Sequence, residues 1–189
     1  MLFRRIALLV FATALAGLAA LAPAQAQISK ELDFLKAVKD GKHHDVSVML
    51  LNGINYNTRD INGTPALAFA IQKGDGEMVS LLLDAGADPN ILDRESGEVA
   101  LTMAAGRNNN DIVERLLKHG ANPNLANKQY ETALIKAVSN SNRNMVRMLV
   151  DAGADPEWQD FTGHSAIWYA EAKRRQDIVN ILRGGAKGD

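Results

Sequence analysis

The sequence predicts an all-α protein, a solenoid of about five stacked helix pairs. Three observations carry this. First, the stretch Leu81-Leu82-Leu83-Asp84-Ala85-Gly86-Ala87-Asp88-Pro89-Asn90 returns as Leu116-Leu117-Lys118-His119-Gly120-Ala121-Asn122-Pro123-Asn124, then as Met148-Leu149-Val150-Asp151-Ala152-Gly153-Ala154-Asp155-Pro156-Glu157. A weaker copy precedes them at Met49-Leu50-Leu51-Asn52-Gly53. Second, the glycines at 53, 86, 120 and 153 are separated by 33, 34 and 33 residues, a period typical of stacked repeat arrays. Third, the punctuation is helical. Gly86, Gly120 and Gly153 fall where a helix ends in a left-handed turn, and Pro89, Pro123 and Pro156 keep it from resuming.

The bulk composition narrows the function. Of 189 residues, 47% are hydrophobic and 23% charged, an ordinary globular balance. A formal charge of −1 offers no basic excess for nucleic acid or an anionic membrane. With no cysteine there is no disulfide framework, thiolate nucleophile or Cys-rich zinc site. Residues 1–26 stand apart: Arg4 and Arg5, the apolar run Ile6 to Leu21, then Ala24-Gln25-Ala26. This pattern predicts a secretory signal peptide cut after Ala26 and a mature chain that is periplasmic or secreted. A retained membrane anchor would need a longer apolar span, roughly 20 residues. Loss of Arg4 and Arg5 takes the formal charge to −3, and a cysteine-free chain suits an oxidising compartment.

Residues 27–59 read as an N-terminal capping unit. Ser29 is placed to cap a helix with an apolar stripe of Leu32, Phe34, Leu35 and Val38, which Gly41 ends. Val46, Met49 and Leu50 face inward from the second helix, and charged residues wet the outer side, as a terminal unit requires. Residues 60–92, 93–126 and 127–159 are full repeats. The second carries one extra residue within Asp93-Arg94-Glu95-Ser96. Leu67, Leu101, Leu134 and Ile167, with Leu82-Leu83, Leu116-Leu117 and Leu149-Val150, supply the core between units. Ala70, Ala104, Ala137 and Ala170 are small where neighbouring helices meet. Residues 160–189 form a C-terminal capping repeat and tail, with Arg183 and Lys187 at positions that are apolar in earlier units.

The frame Asp60-Ile61-Asn62-Gly63, a first helix with Leu67 and Ala70, a second helix ending Leu82-Leu83, and Gly86-Ala87-Asp88-Pro89-Asn90 resembles the ankyrin repeat family over residues 28–189. The resemblance implies a shallow curved stack of antiparallel helix pairs with β-hairpin-like fingers along one edge. It also implies that the extra residue at 93–96 lengthens one finger. The chain departs from the family frame at several positions. The helix-opening proline is replaced by Ala66, Ala100, Ala133 and Ala166, and the histidine by Ala68, Thr102, Ile135 and Trp168. The opening threonine survives only as Thr132 and Ser165. Caps are worth about 1 kcal/mol each, so a stack less stable than a consensus one is expected.

No catalytic constellation emerges. There is no nucleophile elbow, zinc-protease helix, phosphate loop or dinucleotide fingerprint. His43 and His44 lie in a turn, His119 ends a helix where the dipole accounts for it, and His164 sits at a finger base. Asp88 and Asp155 belong to the repeating turn, and Met49, Met78, Met103, Met145 and Met148 mostly to core faces. The prediction is a non-enzyme without cofactors. An alternative is a periplasmic metal- or small-ligand-binding protein using His43 and His44 beside Asp45.

What the resemblance implies is recognition of a protein through the concave face and fingers. The copies differ at the positions that would form that surface. In the fingers these are Ile61, Asn62, Thr64, Glu95, Ser96, Glu98, Lys128, Gln129, Glu131, Phe161, Thr162 and His164. On the first helices they include Gln72, Lys73, Arg107, Asn140 and Lys173. Tyr130, Trp158 and Phe161 are candidate aromatic anchors, although Trp158 could instead shield the C-terminal core. Arg59, Arg94, Arg107, Lys128 and Lys173 would give this side a mildly basic character suited to an acidic partner, unless they are simply solvated. The expected partner is therefore a protein, with no nucleic acid and, after leader cleavage, no membrane. The chain is expected to act as a monomer, and the resemblance extends to exported bacterial proteins, some linked to protection of a catalase or to stress tolerance.

Overall fold

Ten helices form five antiparallel pairs in a computed structural model that describes residues 25–185. The expected signal peptide lies almost wholly outside the described residues, as does the tail beyond 185. The first helix, α1, covers 25–40. It is followed by α2 (His43–Leu51), α3 (Ala66–Lys73), α4 (Gly76–Asp84), α5 (Ala100–Gly106), α6 (Asn110–Lys118), α7 (Ala133–Ser139), α8 (Arg143–Asp151), α9 (Ala166–Ala172) and α10 (Gln176–Gly185). The first helices α3, α5, α7 and α9 pack in one row, and α2, α4, α6, α8 and α10 pack in a second row behind them.

The core lies between the rows and repeats with the sequence. Leu67, Leu101 and Leu134 are buried from the first helices, and Leu82, Leu116 and Leu149 from the second. Ala70, Ala104, Ala137 and Ala170 have no exposed surface, so a larger side chain there would force adjacent helices apart. Met78 and Met145 are fully buried.

Two expectations for the first unit need correction. Ser29 lies inside α1 and does not cap it, because Ala26 and Gln27 are good helix formers with no breaker beside them. Leu32 is exposed, whereas Phe34, Leu35 and Val38 are buried. It lies on the side of α1 that looks along the first finger, and with Ile28 and Ile61 it borders a shallow groove.

The missing caps are visible. Pro65 and Val99 begin α3 and α5 without a side-chain acceptor, whereas Thr132 and Ser165 accept from the backbone N–H of Ile135 and Trp168. Val99 has no oxygen to give, and Thr102 compensates by accepting the Val99 N–H at 3.1 Å. The second helices are better served: Asp75, Asn109 and Asn142 accept from the N–H of Met78, Ile112 and Met145.

The repeating turns also tie unit to unit. Asn57, Asn90 and Asn124 accept the backbone N–H of Asp88, Asn122 and Asp155 in the next repeat, at 2.8–3.1 Å. Within each turn, Asp88, Asn122 and Asp155 accept the N–H two residues on. The recurring Asp/Asn residues are thus fully used by the architecture.

Candidate functional site

Four hairpin-like fingers project from the first-helix row. Each is closed by an antiparallel bridge: Arg59 with Pro65, Leu92 with Val99, Ala126 with Thr132, and Gln159 with Ser165. The second spans one residue more than the others, where the extra residue lies. At the base of each finger Asp60, Asp93, Asn127 or Asp160 accepts backbone N–H groups of its own loop.

One position in each finger has a left-handed backbone. It is occupied by Gly63 (φ 85°), Gly97 (φ 74°) and Gly163 (φ 78°), but by Tyr130 (φ 59°) in the third finger. A bulky residue there costs on the order of 1 kcal/mol relative to glycine, and the chain nevertheless places an aromatic ring at that tip, 57% exposed. Lys128 N–H donates to the Gly97 carbonyl at 3.2 Å, and Phe161 N–H to the Gln129 carbonyl at 3.0 Å. Arg59 Nη1 donates to the carbonyls of Gly63 and Leu92, both at 2.7 Å. These bonds link neighbouring fingers into one row, so their tips are held before any partner arrives.

The finger tips expose apolar side chains. Ile61 is 97% exposed and Phe161 80%. Trp168, at the family histidine position, is 45% exposed and stacks on His164 with ring centroids 3.6 Å apart. Trp158 is half-buried against the core, and its Nε1 donates to the Tyr130 carbonyl at 2.8 Å. The sequence leaves open an interface anchor or a shield for the C-terminal core; the ring is in fact packed partly against the core and tied to the third finger.

The other expected residues divide by what they touch. Asn62, Gln129, Glu95, Lys128 and Arg107 are exposed, and Gln72 is half-buried. Gln72 and Arg107 border an open depression of about 260 Å³ between the second finger and α5, with Met103 at its floor. Lys73, Asn140 and Lys173 share a different job. Their side chains donate to the carbonyls of Lys39, Ala105 and Ser139 one repeat earlier. Thr64 is fully buried, with its hydroxyl 3.0 Å from Asp93 Oδ1, so it cannot be a contact residue.

Two polar networks stiffen the surface. Lys136 lies 2.9 Å from Glu131 and 3.3 Å from Glu98. Burial alone would lower the Lys136 pKa, but the two carboxylates outweigh it and hold the ammonium above its usual range. At the last finger, burial pushes the Asp160 carboxyl up. Hydrogen bonds donated by Thr162 and Tyr169 and by the backbone N–H of His164 and Thr162 override that and hold it at about 2. Because the Thr162 hydroxyl donates to Asp160, His164 Nδ1, 2.7 Å away, is the donor to Thr162.

The histidines do not gather. His43 Nε2 lies 2.9 Å from both oxygens of Asp75 in the next repeat, and His44 and Asp45 are exposed beside it. One ring nitrogen of His43 is thus engaged by a residue 32 positions away. His119 Nδ1 faces the Arg115 carbonyl at 2.8 Å and Nε2 faces Asp84 at 2.9 Å. The carbonyl first, then the carboxylate, raises its pKa. Among the described residues no three His, Asp or Glu side chains are placed to hold a metal ion, and no helix is long and apolar enough to cross a membrane. Two larger depressions, about 490 and 590 Å³, lie by the first unit and the α2–α4 turns, away from the fingers.

Comparison with known proteins matches this geometry. The family description "Ankyrin repeats (3 copies)" fits residues 34–127 and 101–188. An ankyrin repeat-containing protein of Treponema pallidum (strain Nichols) is 35% identical over 141 residues, covering 75% of this chain and 47% of the relative. An ankyrin repeat protein of fowlpox virus (strain NVSL) is 31% identical over 70 residues, 35% of this chain and 10% of the relative. The mitochondrial disaggregase of Bos taurus is 30% identical over 157 residues, 82% of this chain and 23% of the relative. The chain spans less than half the length of each of these relatives.

Proposed function

This chain belongs to the ankyrin repeat family, and from that premise we propose that it is a non-enzymatic module that binds a protein partner through its fingers and first-helix face. Ankyrin repeats generally mediate protein–protein interaction and the family is typically non-enzymatic. The observation that carries the reading for this chain is the set of exposed finger-tip side chains Ile61, Tyr130 and Phe161 on a hydrogen-bonded row. Large apolar groups left mostly in solvent and held on a rigid support are what an interface anchor requires.

We further propose that the module acts after export, in the periplasm or outside the cell, with the leader at residues 1–26 removed. A role in stress protection follows from the resemblance to exported bacterial proteins of this kind. Capture from periplasmic extract by the immobilised protein tests the binding reading. Phe161→Ala and Ile61→Ala should lose the captured partner while keeping the melting temperature. Trp158→Ala should weaken capture and lower stability together, because it supports Tyr130. Unchanged capture by all three variants refutes the finger assignment. Cell fractionation with N-terminal sequencing tests export, with Gln27 as the expected first residue. Peroxide survival of a deletion strain tests the protective role.

A further inference from the structure

Charge on the finger side is sorted by direction. The carboxylates Asp60, Asp93, Glu98, Glu131 and Asp160 each accept hydrogen bonds from their own or a neighbouring finger. Glu95, the most exposed of the finger acids, is turned back onto the Thr64 hydroxyl at 2.9 Å. Of the cations on the same side, Lys136 is paired, Arg59 is bound to two carbonyls, Lys173 to one at 2.6 Å and Lys128 to one at a longer 3.3 Å. Among the described residues, no carboxylate lies within ion-pair distance of Arg94, Arg107 or Lys128.

Two of these cations are held in place. The methylene stem of Arg94 lies across Gly63, where an added Cβ would come within 2.9 Å of it. The stem of Lys128 lies across Gly97 in the same manner, leaving no room for a Cβ. Each stem packs on the preceding finger; the Arg94 head is left in water, and the Lys128 ammonium donates to the Arg94 carbonyl at 3.3 Å, with its other donors turned to solvent. Ile61, Arg94, Lys128 and Phe161 occupy the same position in successive fingers, immediately after Asp60, Asp93, Asn127 and Asp160. Read along the row, the tips run apolar, cation, cation, apolar.

We propose that this row selects an acidic, extended segment of a partner protein that carries an apolar side chain at each end; the proposal rests on the interaction reading above. Packed helices lie about 8–10 Å apart, so three steps from Ile61 to Phe161 cover roughly 25–30 Å. An extended chain rising about 3.3 Å per residue spans that distance in about eight or nine steps, or roughly nine or ten residues. Acidic side chains in the middle meet Arg94 and Lys128, and the apolar ends meet Ile61 and Phe161. A nucleic acid would use the cations but leave both apolar tips uncovered, and the chain's formal charge is −1.

The test uses fluorescence anisotropy with a labelled synthetic peptide of about nine residues, leucine at each end and aspartates and glutamates between. Controls are the same peptide with lysines for the acids and an oligodeoxythymidylate of similar charge. The acidic peptide should bind, lose affinity as salt rises, and bind about tenfold more weakly to Arg94→Gln/Lys128→Gln, a variant whose melting temperature stays near that of the parent. Phe161→Ala should weaken it several-fold in any salt. Absence of binding at millimolar peptide, equal binding of the lysine peptide or the oligonucleotide, or indifference to the double substitution overturns the proposal. The same variants in the capture experiment separate the two ideas. Capture lost with Phe161→Ala but kept with Arg94→Gln/Lys128→Gln sinks the acidic-segment proposal alone, and capture unaffected by either sinks both.

Discussion

Asn142 offers the sharpest test of how this stack is held together. Its Oδ1 accepts the Met145 N–H at 3.0 Å and caps α8. Its Nδ2 lies 2.7 Å from the amide oxygens of both Asn108 and Asn110, one repeat earlier. Asn142→Ala removes all three bonds. Loss of the cap costs about 1 kcal/mol. The half-buried bond to Asn110 adds about 0.5–1 kcal/mol, and the exposed bond to Asn108 adds little because water replaces it. The sum is about 1.5–2 kcal/mol, a fall in Tm of roughly 3–8 °C for a chain of this length. Asn142→Ser keeps an oxygen for the cap and removes only the inter-repeat bonds, so it should lose about half as much. Urea denaturation followed by circular dichroism measures both. In a stack stabilised by nearest-neighbour contacts, the Ser variant should also broaden the transition, as coupling across the α6–α8 boundary weakens. Equal losses for the two variants would refute the division between cap and inter-repeat tie, and no loss for either would refute the role of Asn142 altogether.

Other outcomes are open to direct measurement. Asp160 has its folded pKa held at about 2, below its unfolded value, so its contribution is present above about pH 4 and lost as pH falls toward 2. Discounted for solvent screening, this amounts to roughly 1–2 kcal/mol, and Asp160→Asn should flatten that part of an acid-denaturation curve. His119 has the opposite sign: its raised pKa contributes stability below about pH 6.5 that disappears as pH rises through the folded value. Asp84 is largely exposed and the His119 side chain about one third so, and the effect should be at most a few tenths of a kcal/mol, which His119→Gln should abolish in pH-dependent melting. Gly97→Ala should lower stability by more than about 1 kcal/mol, because the residue is left-handed at φ 74° and its new Cβ would strike the Lys128 side chain. A variant as stable as the parent in urea would show that Lys128 moves aside freely, removing the fixed placement of its charge.

The period, the helix pairs, the buried leucines and the long second finger are all legible in the sequence. Each depends on residues close together in the chain or on the repeat itself: a Gly–Pro turn, a helical apolar spacing, one extra residue between two bridges. The Asn of each turn also shows in the sequence as a recurring letter, but its reason does not. It accepts a hydrogen bond from the next repeat, about 31 residues on.

What only the tertiary structure decides is the fate of individual polar side chains. Thr64 looks like a finger contact and is buried against Asp93; Arg59 looks like a free cation and is spent on two carbonyls. His43 has one ring nitrogen engaged by Asp75, and Trp158 is folded under Tyr130. In every case the deciding partner lies in an adjacent finger or repeat, or across a finger. Local pattern sets which way a helix faces, because one buried face serves many residues at once. A single hydrogen bond between units leaves no such pattern, so only the packed stack distinguishes the side chains that build it from those it leaves exposed.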